Sequence, residues 1–384
     1  MIGIYALLLV TGILLLLYTV LISYYRAWFL KLQPYVIPQA ITPATRFTVI
    51  IPARNEETQI EACVLGILQQ HYPSHLFEVI VIDDHSTDAT PAIIQQLQQQ
   101  HTNLHLLQLE KELKGQQLNS YKKKAIELAI GRCQGDWIVT TDADCFMGKE
   151  WLNTYDAYIQ QYAPVFVAAP VMFSNPGNFV GIFQCLDFMS MQGITAAAVS
   201  AGVHSMCNGA NLAYSKAAFY KVGGFTGIDN IASGDDMLLM HKIKLAYPGK
   251  TGYIFSDAAI VNTPPMPDWK SFINQRIRWA SKADKYKDKA VFWVLVLVYL
   301  FNAGLLVMLI VGLFYWPLLL AGLGMVAVKT IAELEFLFPV ARFFGQRPLL
   351  YSFTIMQPFH IFYIVVAGWL GKFGKYQWKG RTVK

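Results

Sequence analysis

Phe77-Glu78-Val79-Ile80-Val81-Ile82-Asp83-Asp84-His85-Ser86-Thr87-Asp88 runs from an apolar, β-branched stretch straight into carboxylates and hydroxyls. A short apolar run bounded by polar turn residues reads as a strand buried on both faces. Two adjacent carboxylates at its end are costly to place unless solvent, donors or a cation meet them. A turn with Asx bonds and a helix cap accounts for Ser86, Thr87 and Asp88, but poorly for Asp83.

Similar units lie to either side. Phe47 to Ile51 is another β-branched run, ending at Pro52, and Glu56 to Gln70 carries Ile60, Val64, Ile67 and Leu68 at helical spacing. Thr90 to Gln100 reads as a helix with Thr90 as cap and Pro91 at its first position. Leu104 to Leu107 is a weak strand, Lys122 to Cys133 a helix and Trp137 to Thr141 a strand. This alternation predicts an α/β domain with parallel pairing, both sheet faces covered, and a ligand crevice at the strands' carboxyl ends.

Two more acidic groups belong with that crevice. Asp142-Ala143-Asp144 follows the strand at 137–141, and alternate residues of an extended chain face one side, about 7 Å apart. Such a pair suits a hard cation, Mg2+ or Mn2+, bridging to a diphosphate. Gly234-Asp235-Asp236 opens an apolar helical turn. Carboxylates there favour the helix dipole as a cap or, beside a metal–phosphate site, accept a proton from an incoming hydroxyl; both readings stay open.

The chain also carries a membrane component. Its 384 residues are 54% hydrophobic and 15% charged, against about 45–50% and about 25% in soluble domains. Gly3 to Ile22 is uncharged and long enough to cross a core of about 30 Å. The absence of a basic segment before it and a small-residue cleavage site after it favours a retained anchor over a cleaved signal peptide. Arg26 and Lys31 then place the polar middle on the cytoplasmic side. Asp268 to Lys289 has one apolar stripe, Trp269, Phe272, Ile273, Ile277, Ala280 and Ala283, and reads as an interfacial helix anchored by Lys282, Lys285, Lys287 and Lys289. Gln275, Arg278 and Trp279 share a face beside that stripe.

Ala290 to Trp316 and Pro317 to Val340 read as further spans. In the second, Lys329 and Glu333 stand four apart, either as a satisfied ion pair or as a polar notch for an acceptor headgroup. Leu349 to Leu370 holds Pro358 and His360 at its middle. A full crossing puts the basic tail (Lys372, Lys375, Lys379, Arg381, Lys384) outside, against the preference of positive charge for the cytoplasm, whereas a break at Pro358 into a re-entrant hairpin satisfies both. The formal charge of +6 gathers beside apolar segments and in the tail, favouring anionic lipid over nucleic acid. Five cysteines, with no C-x-x-C pair, suggest a reducing compartment and neither a disulfide framework nor a zinc site.

Pro52-Ala53-Arg54-Asn55-Glu56, Asp83-Asp84, Lys123-Lys124-Ala125-Ile126, Thr141-Asp142-Ala143-Asp144, Gly209-Ala210-Asn211, Gly234-Asp235-Asp236 and Gln275-x-x-Arg278-Trp279, in this order, resemble the membrane-bound inverting glycosyltransferases of family 2. The likeness covers about Thr42 to Lys289, and the flanking spans resemble those of chitin-oligosaccharide, hyaluronan and ceramide glucosyl transferases. It implies a GT-A fold, a Rossmann-like nucleotide-sugar domain with a donor that is most often a UDP-sugar, and Mg2+ or Mn2+ as cofactor. It implies that Glu56 and Asp83 or Asp84 hold the nucleoside near Pro52 and Arg54, and that Asp142 and Asp144 bind diphosphate and metal. Asp236 takes the place of the catalytic base beside Asp235, and Arg278, with Lys123 as a further candidate, neutralises the departing diphosphate. Gln275 and Trp279 fall at the acceptor end, with Asn211 near the sugar. Two departures stand out: His85 replaces the family's frequent Gly or Asn, and Asp235 its usual Glu.

The expected layout is an anchor at 1–25, a linker at 26–45, a cytoplasmic GT-A domain at 46–267, an interfacial helix at 268–289, two or three spans at 290–371 and a basic tail at 372–384. The expected activity is transfer of one sugar to a membrane lipid at the cytoplasmic face of a bacterial inner membrane. A processive polysaccharide synthase is the alternative within the class. A nucleotide-binding transporter or scaffold is the alternative outside it, supported only by Lys329, Glu333 and Glu335 and by no visible internal repeat.

Overall fold

The structure is a computed structural model that describes residues 2–374 other than 40, 114–117, 175, 176, 232, 283, 284, 286 and 287, together with the backbone of 376–378 and 381–383. Ala283, Lys287 and the side chains of Lys375, Lys379, Arg381 and Lys384 therefore lie outside the described residues. Along the chain come α1 (Ile2–Phe29), β1 (Phe47–Ala53), α2 (Ile60–Leu68), β2 (Phe77–Asp83), α3 (Thr90–Gln98), β3 (Leu104–Gln108), α4 (Leu109–Leu113), α5 (Tyr121–Arg132) and β4 (Trp137–Thr140). Next are β5 (Phe146–Met147), α6 (Trp151–Tyr162), β6 (Phe166–Ala168), β7 (Val171–Phe173), α7 (Phe179–Ser200), β8 (Leu212–Ser215), α8 (Lys216–Lys221) and α9 (Met237–Ala246). Last are β9 (Thr251–Tyr253), β10 (Val261–Thr263), α10 (Trp269–Ala280), α11 (Lys289–Gly312), α12 (Trp316–Phe343), α13 (Phe353–Phe373), β11 (Tyr376–Trp378) and β12 (Arg381–Val383).

Two compact units result. A sheet unit comprises Gln33–Met172 and Ser205–Pro264; a helical unit comprises Met1–Leu32, Phe173–His204 and Pro265–Lys384. The units cut across the expected 46–267 domain, because 173–204 groups with the helices.

In the sheet unit the strand order is β3-β2-β1-β4-β8-β6-β9. β1 pairs in parallel with β2, from Phe47 opposite Phe77 to Ala53 opposite Asp83, and also in parallel with β4. Val49, Ile50 and Ile51 of β1 and Val79, Val81 and Ile82 of β2 are fully buried, as strands covered on both faces must be. α2 buries Ile60, Val64 and Ile67 of the expected helical stripe, with Cys63 in place of Leu68. The expected parallel pairing holds from β3 to β4 and is then interrupted: β8 runs antiparallel to β4 and to β6, and β6 pairs in parallel with β9. β1 lies between β2 and β4, so the chain reverses its direction of progress across the sheet at β1, where α/β sheets open a ligand crevice at their carboxyl edge. At the start of α3, Asp88 Oδ1 accepts the Thr90 N–H at 3.0 Å, so Asp88 caps the turn, whereas the Thr90 hydroxyl accepts the Glu56 N–H at 2.9 Å.

In the helical unit α1, α7, α11, α12 and the segment Arg347–Phe373 are each long and apolar enough to cross a membrane. α7 was not anticipated; Phe183, Leu186, Phe188, Ala196, Ala197 and Ala198 on it are buried. Gly304 of α11 meets α1 so closely that an added Cβ would lie 2.7 Å from Thr11 Oγ1. Lys329 and Glu333 form a closed pair at 2.8 Å, with Gln357 accepting from the ammonium at 2.7 Å and Tyr18 donating to the carboxylate. That is the satisfied ion pair rather than an open notch. α13 continues from Phe353 to Phe373 through Pro358, so of the two readings left open the one with a helix break at Pro358 is not what forms.

Candidate active site

The crevice is built from loops that leave parallel strands. Asn55 after β1 and His85 after β2 both have left-handed backbone, φ 52° and 58°. Asn and His tolerate this region better than most side chains, which gives a physical reason for Gly or Asn being frequent where His85 stands. The Asn55 N–H donates to Ser86 Oγ at 2.9 Å and its side-chain oxygen accepts the Thr87 N–H at 2.8 Å, tying the two loops together. Asp83 Oδ1 accepts the Ser86 N–H at 3.2 Å, so the turn does use this carboxylate. Asp84 lies 2.8 Å from His85 Nδ1, and Arg54 donates to its carbonyl at 2.9 Å. Pro52 and Glu56 are half-buried on the β1 side of these loops.

Four charged side chains converge beside the end of β4. Lys122 Nζ donates to Asp142 Oδ1 at 2.9 Å and lies 3.5 Å from Asp235 Oδ2. Asp236 caps α9, accepting the Met237 N–H at 2.7 Å, and its second oxygen accepts the Gly209 N–H at 3.2 Å. Thr140 Oγ1 donates to the Gly209 carbonyl at 2.8 Å. The gap at Gly209 is narrow: a Cβ there would lie 3.5 Å from Lys122 Nζ, 3.6 Å from Asp235 Oδ2 and 3.8 Å from Asp236 Oδ2. Burial works against the Lys122 charge, but Asp142 and Asp235 outweigh it and hold the ammonium well above the usual lysine range.

Asp142 and Asp144 are half-buried, and their carboxylates are the hard oxygen donors that Mg2+ or Mn2+ takes. The Lys122 ammonium rests between Asp142 and Asp235 and offsets part of their negative charge. Among the described residues no three His, Cys, Asp or Glu side chains are grouped to hold a metal. This donor set fits Mg2+ or Mn2+, which share a shell with water and substrate phosphate, and not a closed all-protein cage.

Two expected site residues are placed differently. Lys123 is 1% exposed, and its ammonium is clasped by the carbonyls of Ile228, Ile231 and Ser233, which shape the chain leading to Asp235. Helical spacing to Ile126 and Ile130 puts Lys123 on the buried face of α5; Lys122, one residue earlier, is the lysine the sequence reading missed. Burial pulls the Lys123 pKa below the ordinary lysine value, partly opposed by Asp235 and Asp236. Asn211 is fully buried and saturated: its oxygen accepts from Trp151 Nε1 and Tyr155 Oη, both at 2.9 Å, while its nitrogen donates to the carbonyls of Pro170 at 2.7 Å and Ala259 at 2.8 Å. It staples the core through all four of these hydrogen bonds.

Gln275, Arg278 and Trp279 lie on α10 in the helical unit. Arg278 is half-buried, and Gln275 Oε1 accepts from Arg276 Nη1 at 2.6 Å.

The description "Glycosyl transferase family 2" matches residues 48–223, and "Glycosyl transferase family group 2" matches residues 137–370, more than half of the chain. The chain belongs to glycosyltransferase family 2. This family 2 protein is 30% identical over 148 residues to a beta-monoglucosyldiacylglycerol synthase of Synechocystis sp., covering 37% of this chain and 29% of that protein. It is 31% identical over 117 residues to the poly(ribitol-phosphate) beta-N-acetylglucosaminyltransferase TarS of Staphylococcus aureus, covering 30% of this chain and 19% of that one. The matched stretches thus span under a third of these relatives. Among solved structures, the mannosyltransferase PcManGT of Pyrobaculum calidifontis, in complex with GDP-Man and Mn2+, superposes with a TM-score of 0.57 at 19% identity, over 96% of this chain and 97% of that one. That likeness is one of fold, and the fold is GT-A.

Proposed function

We propose that this family 2 protein moves a sugar from a nucleotide-sugar donor to a lipid acceptor in a single inverting displacement. The observation that carries the reading is the convergence of Lys122, Asp142, Asp235 and Asp236 at the carboxyl edge of the sheet. In-line displacement needs a base on one face of the sugar and charge neutralisation of the leaving diphosphate on the other. Asp236 is the base: its oxygens are oriented by the Met237 and Gly209 N–H groups, and a carboxylate so placed accepts the acceptor hydroxyl proton. Lys122 is the fixed cation for the diphosphate, and Arg278 takes the role its motif has in the family. Asp142 and Asp144 hold Mg2+ or Mn2+, which when bound neutralises phosphate charge. Asp84, Arg54 and Glu56 hold the nucleoside, with UDP the nucleotide that the resemblance implies. Gln275 and Trp279 serve the acceptor. A lipid acceptor is favoured by the apolar helices of the same chain and by the diacylglycerol named for the Synechocystis relative.

The test incubates the purified full chain with Mg2+ or Mn2+, a panel of radiolabelled nucleotide sugars and total lipid extract, then partitions the label. Label in the organic phase that disappears with Asp236→Asn and with EDTA is the expected result. High-mass, lipid-free product would replace the lipid acceptor by a polymer, and no metal-dependent transfer from any donor would overturn the reading.

A further inference from the structure

Asp187 of α7 and Arg276 of α10 form an ion pair inside the helical unit, with side chains 3% and 4% exposed. Arg276 donates to Asp187 Oδ2 through Nε at 2.9 Å and Nη2 at 2.6 Å. Tyr363 of α13 donates to the other carboxylate oxygen, and His360 Nε2 lies 3.9 Å from it. The guanidinium does more than neutralise. Its remaining Nη1 donates to Gln275 Oε1 at 2.6 Å, and its plane lies 4.2 Å over the Trp279 ring and 4.6 Å over Phe272. Phe188, next to Asp187, also meets Trp279, with ring centroids 6.2 Å apart. One buried cation therefore holds both Gln275 and Trp279, and a neighbouring helix holds the cation.

We infer that Asp187 and Arg276 are positioning residues that set Gln275 and Trp279 for capture of the acceptor. Burying this pair is no ready source of stability, since paired apolar replacements are often neutral. What it provides is a fixed direction, because the planar guanidinium fork and its stacking face admit one arrangement that lysine cannot reproduce. Supporting side chains of this kind determine whether a binding group is held within fractions of an ångström.

The inference rests on the acceptor role given to Gln275 and Trp279 above, and its test separates the two. The full chain, labelled with 5-fluorotryptophan in lipid nanodiscs, gives a 19F resonance for Trp279 that Trp279→Phe assigns. Arg276→Lys and the neutral double variant Asp187→Asn/Arg276→Gln are expected to shift or broaden that resonance. With total lipid extract as acceptor probe, both are expected to raise the apparent acceptor KM about tenfold while donor KM stays within about twofold. An unmoved Trp279 resonance in both variants overturns the inference, as does an unchanged acceptor KM when Trp279→Ala raises it. If Gln275→Ala and Trp279→Ala leave acceptor KM unchanged, the acceptor role itself falls, even where Arg276→Lys still shifts the resonance.

Discussion

Adjacent lysines on α5 have opposite duties. Lys122→Ala removes the cation between Asp142 and Asp235 and is expected to lower transfer by about 10²-fold in steady-state assays, with the protein still folded. Lys123→Met leaves three buried carbonyls without a donor; it is expected to cost roughly 3 kcal/mol, seen as a lower thermal midpoint. Asn211→Ala is expected to destabilise by a similar or larger amount, because four partners lose their hydrogen bonds, while donor KM of the folded protein stays unchanged. A raised donor KM in Asn211→Ala at unchanged stability would return this residue to the binding site. The carboxylates were legible because each stands at the end of an apolar strand or the start of a helix. The choice between Lys122 and Lys123 was not, since residues one apart on a helix point about 100° apart and the packing of α5 decides which is buried.

Among the secondary structure elements, β1 to β4 and the helices α2, α3 and α5 were readable from β-branched or apolar runs and from apolar stripes, whereas the five-residue α4 was not. β6 and β9 were not: each is three residues long, too short to show a period. α7 was missed because it is buried around most of its circumference and so shows little amphipathic contrast. α10 and α13 pack side by side in parallel: Trp269 stacks on Phe359, Phe272 meets Tyr363, and Ala280 meets Gly371. A Cβ on Gly371 would lie 2.6 Å from Ala280 Cβ. Gly371→Val is expected to cost about 1–3 kcal/mol by overpacking, read as a lower thermal midpoint of the solubilised protein.

That packing bears on topology. α1 and α12 run in the same direction, with Tyr18 at Glu333 and Phe29 at Phe336, while α13 begins with Gln357 at the level of Lys329 and Glu333. Its end does not lie a membrane thickness away: Gly368 packs on Tyr299, in the first half of α11, and Gly371 on Ala280, which precedes α11. An unbroken α13 lying along α10 predicts that Lys372 and Lys31 lie on the same side of the membrane, the arrangement that positive charge prefers. In sealed vesicles, a membrane-impermeant maleimide is expected to label Lys372→Cys from the same side as Lys31→Cys, and Phe314→Cys from the opposite side. Labelling of Lys372→Cys together with Phe314→Cys would show that α13 crosses.

Local pattern was enough for the parallel strands β1 to β4 of the sheet, for the acidic strand ends, for most of the apolar helices and for the family resemblance, because each depends on residue types a few positions apart. Which lysine faces the carboxylates, that Asn211 is consumed by the core, that Arg276 braces the residues beside Arg278, and that α13 passes Pro358 without a break all depend on segments distant in sequence. Those partners fix the rotation of each helix and the remaining hydrogen-bond capacity of each buried group, and neither quantity is written in the spacing of a single stretch of chain.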